Sequence, residues 1–283
     1  MAMIQKSLFP TFVKISNSWF CGAGKNTLIQ GLLGNDNFKF ISSYTTRERR
    51  EGDAKNQYQY ISVAEFENKL KTGEIFEYDL FNDNYYGTSK NLFFDGLDEA
   101  KVVLKDISVM GYKNIVEKLG DNLEIVAVFL TERKRVLKQR LINRGEKPER
   151  IKNRLKLYKK EQSQIPYYNY CIKNDVYLNS LDKLFAISEI GLNKKMLLPT
   201  KEYTNLSAKK IDKLASKLEN GKLLKPIKVA LFKGEVYIIS GIHRYLASLK
   251  TGKNVVKQFV DEIPKNTKTN LEEWQKIVKA YKI

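Results

Sequence analysis

The chain has 283 residues, 42% of them hydrophobic, and a formal net charge of +18. That composition suits a globular protein with a real core, and no apolar run reaches the roughly 18 residues a membrane-crossing helix needs, so no membrane partner is expected. Two cysteines, Cys21 and Cys171, exclude a disulfide framework, and Met1–Pro10 lacks a signal-peptide apolar core, so a reducing cytoplasm is the expected setting.

In chain order, Phe12-Val13-Lys14-Ile15 reads as a short strand entering a Gly-containing turn, with a helix starting at Thr27 and running to Leu33. Val102–Leu104 and Ile125–Leu130 are apolar runs of the kind buried parallel strands show. From Glu132 to Lys160 the chain is charged and helical, with a break near Gly145–Pro148. This is an α/β pattern with a central parallel sheet.

A boundary is expected between Leu181 and Pro199, giving domains of residues 1–190 and 191–283. Beyond it, Ile211, Leu214, Ala215 and Leu218 set a helix over Ser207–Glu219, which Gly221 stops. Pro226–Phe232 and Val236–Ile239 flank Lys233-Gly234 as a hairpin, a helix follows through Leu249, and Leu271–Tyr281 is amphipathic. There are no internal repeats. Residues 191–283 hold 20 Lys and Arg against 8 Asp and Glu, a net of +12, which fits a nucleic-acid partner or a Lys-rich solvated surface.

Cys21-Gly22-Ala23-Gly24-Lys25-Asn26-Thr27 has the ingredients of a phosphate loop, in which backbone N–H groups and a helix N-terminus cradle an anion beside a Lys. Gly24 and Lys25 fit the pattern G-x-x-x-x-G-K-[ST]. Trp19 stands where its first Gly belongs, and Asn26 stands where its hydroxyl belongs. Alone the motif is weak, because a Gly-rich turn before a Lys-bearing helix is common. Downstream come Ser43-Tyr44-Thr45-Thr46-Arg47-Glu48-Arg49-Arg50-Glu51-Gly52-Asp53, then Tyr58, Glu77, and Tyr86-Gly87-Thr88. A solvated, self-paired basic loop is the alternative for the arginine block.

Taken in order, these blocks resemble guanylate kinase through at least the first 170 residues. The resemblance implies a P-loop, nucleoside-monophosphate-kinase-like parallel sheet, ATP as donor, Mg²⁺ and a nucleotide substrate. It implies that Gly22, Gly24, Lys25, Asn26 and Thr27 bind ATP, and that Asn26 and Asp106 approach the metal. Ser43, Arg47, Arg50, Tyr58 and Tyr86 would hold the acceptor phosphate, since an arginine fork pairs with phosphate oxygens. Glu77 and Thr88 would meet a guanine edge. The family's D-I-D-x-x-G block reads Asp106-Ile107-Ser108-Val109-Met110-Gly111 here, so Ser108 replaces a second carboxylate and guanine selectivity is open. Arg140, Arg144 and Arg154 resemble lid arginines that stabilise charge on the transferring group. Their alternative is a surface helix with Arg140 and Arg144 on one face.

Leu197 to Val260 resembles the ParB/sulfiredoxin superfamily, a smaller α+β domain, through Ser240-Gly241-Ile242-His243-Arg244. That likeness implies phosphate or nucleotide contact at Gly241, His243 and Arg244, with Glu202 in a looser match. Ile242 replaces the reactive cysteine of sulfiredoxin, so redox chemistry is not expected. The expected function is ATP-dependent phosphoryl transfer to a GMP-like nucleotide or to a nucleotide or modified base within DNA. The alternative is a catalytically weak pseudo-kinase that binds DNA or a partner.

Overall fold

The computed structural model describes residues 11–16, 22–49, 53, 56–81, 83–100, 102–119, 124–189, 196–200, 206–265, 267 and 269–282. The chain divides into two compact units, residues 1–19 with 24–127, and residues 20–23 with 128–283.

The first unit opens with β1 (Thr11–Ser16) and α1 (Lys25–Leu32), then β2 (Phe38–Phe40), β3 (Ser43–Thr45) and β4 (Tyr58–Tyr60). Then come α2 (Val63–Lys71), β5 (Ile75–Phe81), β6 (Asn84–Ser89), α3 (Lys90–Glu99), β7 (Val102–Lys105), α4 (Val109–Leu119) and the start of β8 (Glu124–Thr131). Helix α1 begins at Lys25, two residues before the expected Thr27. Gly24 takes φ 85°, which ends the turn and lets Lys25 enter the helix directly. Ser62 caps α2 by accepting from the Glu65 N–H, with Glu65 at the matching capping-box position.

β7 lies between β1 and β2, parallel to both, and all four of its residues are buried. That is the burial of a strand covered on both faces. Ile41, Phe93, Leu97, Val103, Ile107 and Ile115 form one core cluster beside it. The other four strands make a separate mixed sheet, in the order β4-β3-β6-β5. Tyr44, Phe66 and Ile75 are its buried core.

The second unit takes the end of β8, α5 (Lys134–Asn143), α6 (Pro148–Gln162), β9 (Tyr170–Lys173) and α7 (Tyr177–Glu189). It continues with β10 (Leu198–Pro199), α8 (Ala208–Glu219), β11 (Ile227–Phe232), β12 (Glu235–Ser240), α9 (Ile242–Thr251), β13 (Lys257–Phe259) and α10 (Leu271–Tyr281). The break between α5 and α6 falls where expected, with Gly145 at φ 70° and Pro148 opening α6. The hairpin turns on Lys233 and Gly234, both left-handed at φ 50° and 76°, the geometry of a type I′ connection.

Strand β9 pairs in parallel with β8 and with β13, and β13 pairs in parallel with β11. β11 and β12 are antiparallel, and β10 runs parallel to β12. The position 190/191, where the composition shifts, therefore lies inside this unit, and strands from both sides of it share one sheet. Trp274 of α10 is fully buried, stacks on Tyr245 and donates its Nε1–H to the Leu197 carbonyl at 2.8 Å.

Candidate active site

At the start of α1 the first intrahelical bond runs from the Leu28 N–H to the Gly24 carbonyl. The N–H groups before it have no acceptor inside the helix, and the first turn carries no acidic side chain. The turn thus presents donors and a positive dipole end to an anion. Lys25 Nζ lies 2.5 Å from Asp106 Oδ2, both largely shielded from solvent. Asn26 donates its amide to Gln57 Oε1 at 3.1 Å, and Gln57 reaches the Tyr58 hydroxyl at 3.4 Å. Thr27 is exposed.

Among the described residues no group of three or more His, Cys, Asp and Glu side chains is placed to hold a metal. Mg²⁺ keeps most of its waters and binds through one or two protein oxygens plus phosphates. Asp106 and the Asn26 carbonyl supply oxygens of that kind.

The four-stranded sheet gathers Ser43, Tyr58, Glu77, Tyr86 and Thr88, residues expected to meet the acceptor. Its registers set Ser43 beside Tyr58, Thr45 beside Tyr86, and Glu77 beside Thr88. Arg47 is only 7% exposed. Its Nη2 meets both Asp53 oxygens at 2.9 and 2.8 Å, its Nη1 donates to the Glu48 carbonyl, and its guanidinium lies 5.2 Å from the Tyr58 ring centre. Tyr60 donates to Asp53 at 2.7 Å; burial and that bond push its hydroxyl up to about 12. Burial and the nearby Asp106 charge raise Tyr58 further still. Tyr58 and Tyr86 meet edge to face at 5.9 Å. Arg50, Gly52, Trp19, Cys21 and Glu202 lie outside the described residues.

Glu77 is 3% exposed and accepts from the Thr88 hydroxyl at 2.7 Å. Burial raises its pKa, opposed by that bond and by the charge of Lys105. Gly111 makes room for it: a Cβ there would stand 2.1 Å from Glu77 Oε1. Ser108 Oγ accepts from the Gly111 N–H at 3.0 Å, so the residue replacing the second carboxylate caps α4. Sequence reasoning missed Lys105, whose ammonium donates to Ser43 Oγ at 2.9 Å; burial pushes its pKa down to about 8. It also missed Asp53 as the partner of Arg47.

In the second unit Gly22 takes φ 105°. Arg140 donates from Nη1 to the Gly22 carbonyl at 3.3 Å and from Nη2 to the Asn174 carbonyl at 2.8 Å. The Asn174 side chain donates in turn to the Ala23 carbonyl at 2.5 Å. Glu132, 2% exposed, lies 3.9 Å from Arg140. Arg154 pairs with Glu146 at 3.2 Å, and Arg144 is exposed at the end of α5. Asn174 and Glu132 were not legible as part of this group, because Asn174 stands 151 residues from its partner Ala23.

At α9 the N-cap is Gly241, with φ 105°. A Cβ there would stand 2.5 Å from Arg244 Nη2, so the guanidinium folds back over the turn. Arg244 Nε is buried without a hydrogen-bond partner, and His243 Nε2 accepts from the Ser207 N–H at 3.3 Å. Burial and the neighbouring Lys210 lower the His243 pKa.

A guanylate kinase family model matches residues 20–189, more than half of the chain. The guanylate kinase of Clostridium tetani is 36% identical over 168 residues, covering 59% of this chain and 80% of that protein. That of Clostridium perfringens is 34% identical over 189 residues, covering 64% and 87%. The crystal structure of guanylate kinase from Anaplasma phagocytophilum superimposes with a TM-score of 0.53 at 24% identity, over 67% of this chain and 89% of that one, which shows a shared fold. With that match and those relatives, the chain belongs to the guanylate kinase family, whose members are nucleotide phosphotransferases that use ATP and Mg²⁺.

Proposed function

We propose that the chain transfers the terminal phosphoryl group of ATP to the phosphate of GMP. The observation that carries this reading is the four-stranded sheet, whose registers bring Ser43, Tyr58 and Tyr86 together with the buried Glu77–Thr88 pair. One end of that set suits a phosphate and the other a purine edge. Magnesium-bound ATP supplies the activated phosphoryl group. Gly22, Gly24, Lys25, Asn26 and Thr27 hold its phosphates, with Asp106 and Asn26 toward the metal. Ser43, Arg47, Arg50, Tyr58 and Tyr86 hold the acceptor phosphate. Arg140, Arg144 and Arg154 neutralise charge developing on the group in flight.

Glu77 and Thr88 read the base. Ser108 accepts from the Gly111 N–H at the start of α4 and is a neutral hydroxyl, so a second carboxylate is missing and discrimination between purines is weaker than two carboxylates would give. The test is transfer from labelled ATP across a panel of nucleoside monophosphates and duplex DNAs. Labelled GDP supports the proposal. Transfer to DNA alone would move the acceptor into nucleic acid, and no transfer by folded protein would leave a pseudo-kinase.

We further propose that residues 191–283 form a ParB/sulfiredoxin-like module that binds nucleic acid. Its support is the net +12, the unpartnered Arg244 Nε over Gly241, and His243 beside it. Arg244 is its only arginine, and lysines act mainly as point charges on phosphates, so binding is weakly sequence-dependent. Duplex DNA affinity should fall with salt at a log–log slope of roughly −3 to −6. Reversing the exposed Lys209, Lys213 and Lys217 of α8 to Glu should flatten that slope. An unchanged slope would remove α8 from the interface.

A further inference from the structure

Lys105 ends β7 and is fully buried. Its ammonium donates to three oxygens of one short stretch: Ser43 Oγ at 2.9 Å, the Ser42 carbonyl at 3.2 Å and the Ile41 carbonyl at 3.4 Å. An ammonium has three N–H donors and no acceptor, so these three bonds use its whole capacity. The same stretch is tied back to β7 by the Ile41 N–H, which donates to the Leu104 carbonyl at 2.9 Å. Lys105 thus holds the run leading into β3 at the point where Ser43 begins it.

The bond to Ser43 fixes more than position. A hydroxyl beside a neutral amide or a water is free to donate or to accept. Beside an ammonium it can only accept, so its own proton must point to something else.

We propose that Lys105 is a positioning residue of the acceptor site, one that holds the Ser43 hydroxyl with its proton turned outward as a donor to the acceptor phosphate. This rests on the reading of Ser43 as an acceptor-phosphate ligand. Lys105 itself does not touch the substrate, because no part of it is accessible. Its effect passes through one hydroxyl, and a hydrogen bond to a charged group is worth about tenfold or more in affinity.

The test is a double-mutant cycle on the full chain, with Lys105→Met, Ser43→Ala and both together, scored by KM for GMP and for ATP. Thermal unfolding checks that each variant folds. Lys105→Met keeps an unbranched chain, one atom shorter, and removes every donor. Lys105→Gln, of the same reach as methionine but with a neutral amide, is scored in the same way and carries the test if the methionine variant does not fold.

Either Lys105 variant should raise the GMP KM about tenfold while moving the ATP KM less than about twofold. In the Ser43→Ala background the same change should add less than about twofold, because the group it acts through is gone. A folded Lys105 variant with the wild-type GMP KM overturns the proposal. So does an effect that persists in full without the Ser43 hydroxyl, which would be a through-space charge, or one that raises both KM values alike, which would be a structural role. If Ser43→Ala itself leaves the GMP KM unchanged, the acceptor reading of Ser43 is what has failed, and the proposal falls with it.

Discussion

At the scale of single residues, the pair with the largest expected effect is Lys25 and Asp106, held 2.5 Å apart. On the proposed reading, Lys25→Ala removes a charge that would meet the outer phosphates, and Asp106→Ala removes a carboxylate that would face the metal. Each should lower kcat by about a hundredfold or more with little change in thermal unfolding. Near-wild-type turnover in either variant would remove that residue from the site. Arg47→Ala should instead raise the acceptor KM more than the ATP KM; a shift confined to ATP would put its block elsewhere.

Arg47, Tyr58, Glu77, Tyr86 and Thr88 were singled out from the sequence because their order resembles the guanylate kinase pattern, and the structure sets Glu77 beside Thr88 and Arg47 and Tyr86 beside Tyr58. Lys105 and Asn174 were not legible. A lysine closing an apolar strand reads as a strand end, and its partner Ser43 lies 62 residues away. Cys171 is a simpler case: burial pushes its thiol up to about 12. It should resist alkylation near neutral pH in the folded protein and react on unfolding, as peptide mapping would show.

At the scale of elements, the approach of α4 to β5 is set by one glycine. A Cβ on Gly111 would stand 2.1 Å from Glu77 Oε1 and 2.7 Å from Ile107 Cγ1. Gly111→Ala must therefore displace Glu77 or lift the helix. It should cost about 1–3 kcal/mol of stability and shrink the preference for GMP over AMP, as thermal unfolding and kcat/KM for the two acceptors would show. Unchanged selectivity would detach Glu77 from base recognition.

Elements with local signals were read well from sequence. α10 spans the expected Leu271–Tyr281, and the Lys233-Gly234 turn closes the expected hairpin. Pairings between distant segments were not legible. Three-residue β13 carries no periodic signal of its own, yet it lies between β9 and β11. β3 and β4 are equally short, and their mixed sheet shows only when their partners are known.

At the scale of the whole chain, the composition shift near residue 190 and the sheet tell different things. The shift marks where positive charge concentrates, whereas β13 supplies a strand neighbour to β9 within the second unit. A protein ending at residue 193 would lose β13, leaving one edge of β9 without its parallel partner and the apolar face around Tyr170 uncovered. Such a truncation should unfold at a lower temperature than the full chain and tend to associate. Equal thermal stability would show that residues 1–193 fold without β13.

Phosphoryl transfer to GMP can be read from the labelled product itself. Purified full-length protein is given labelled ATP, Mg²⁺ and GMP, with Lys25→Ala as the control, and the products are separated. Labelled GDP should form in proportion to the wild-type protein and be all but absent with Lys25→Ala. A folded wild-type protein that makes no labelled GDP, or a Lys25→Ala variant that makes as much as wild type, would contradict the proposed transfer.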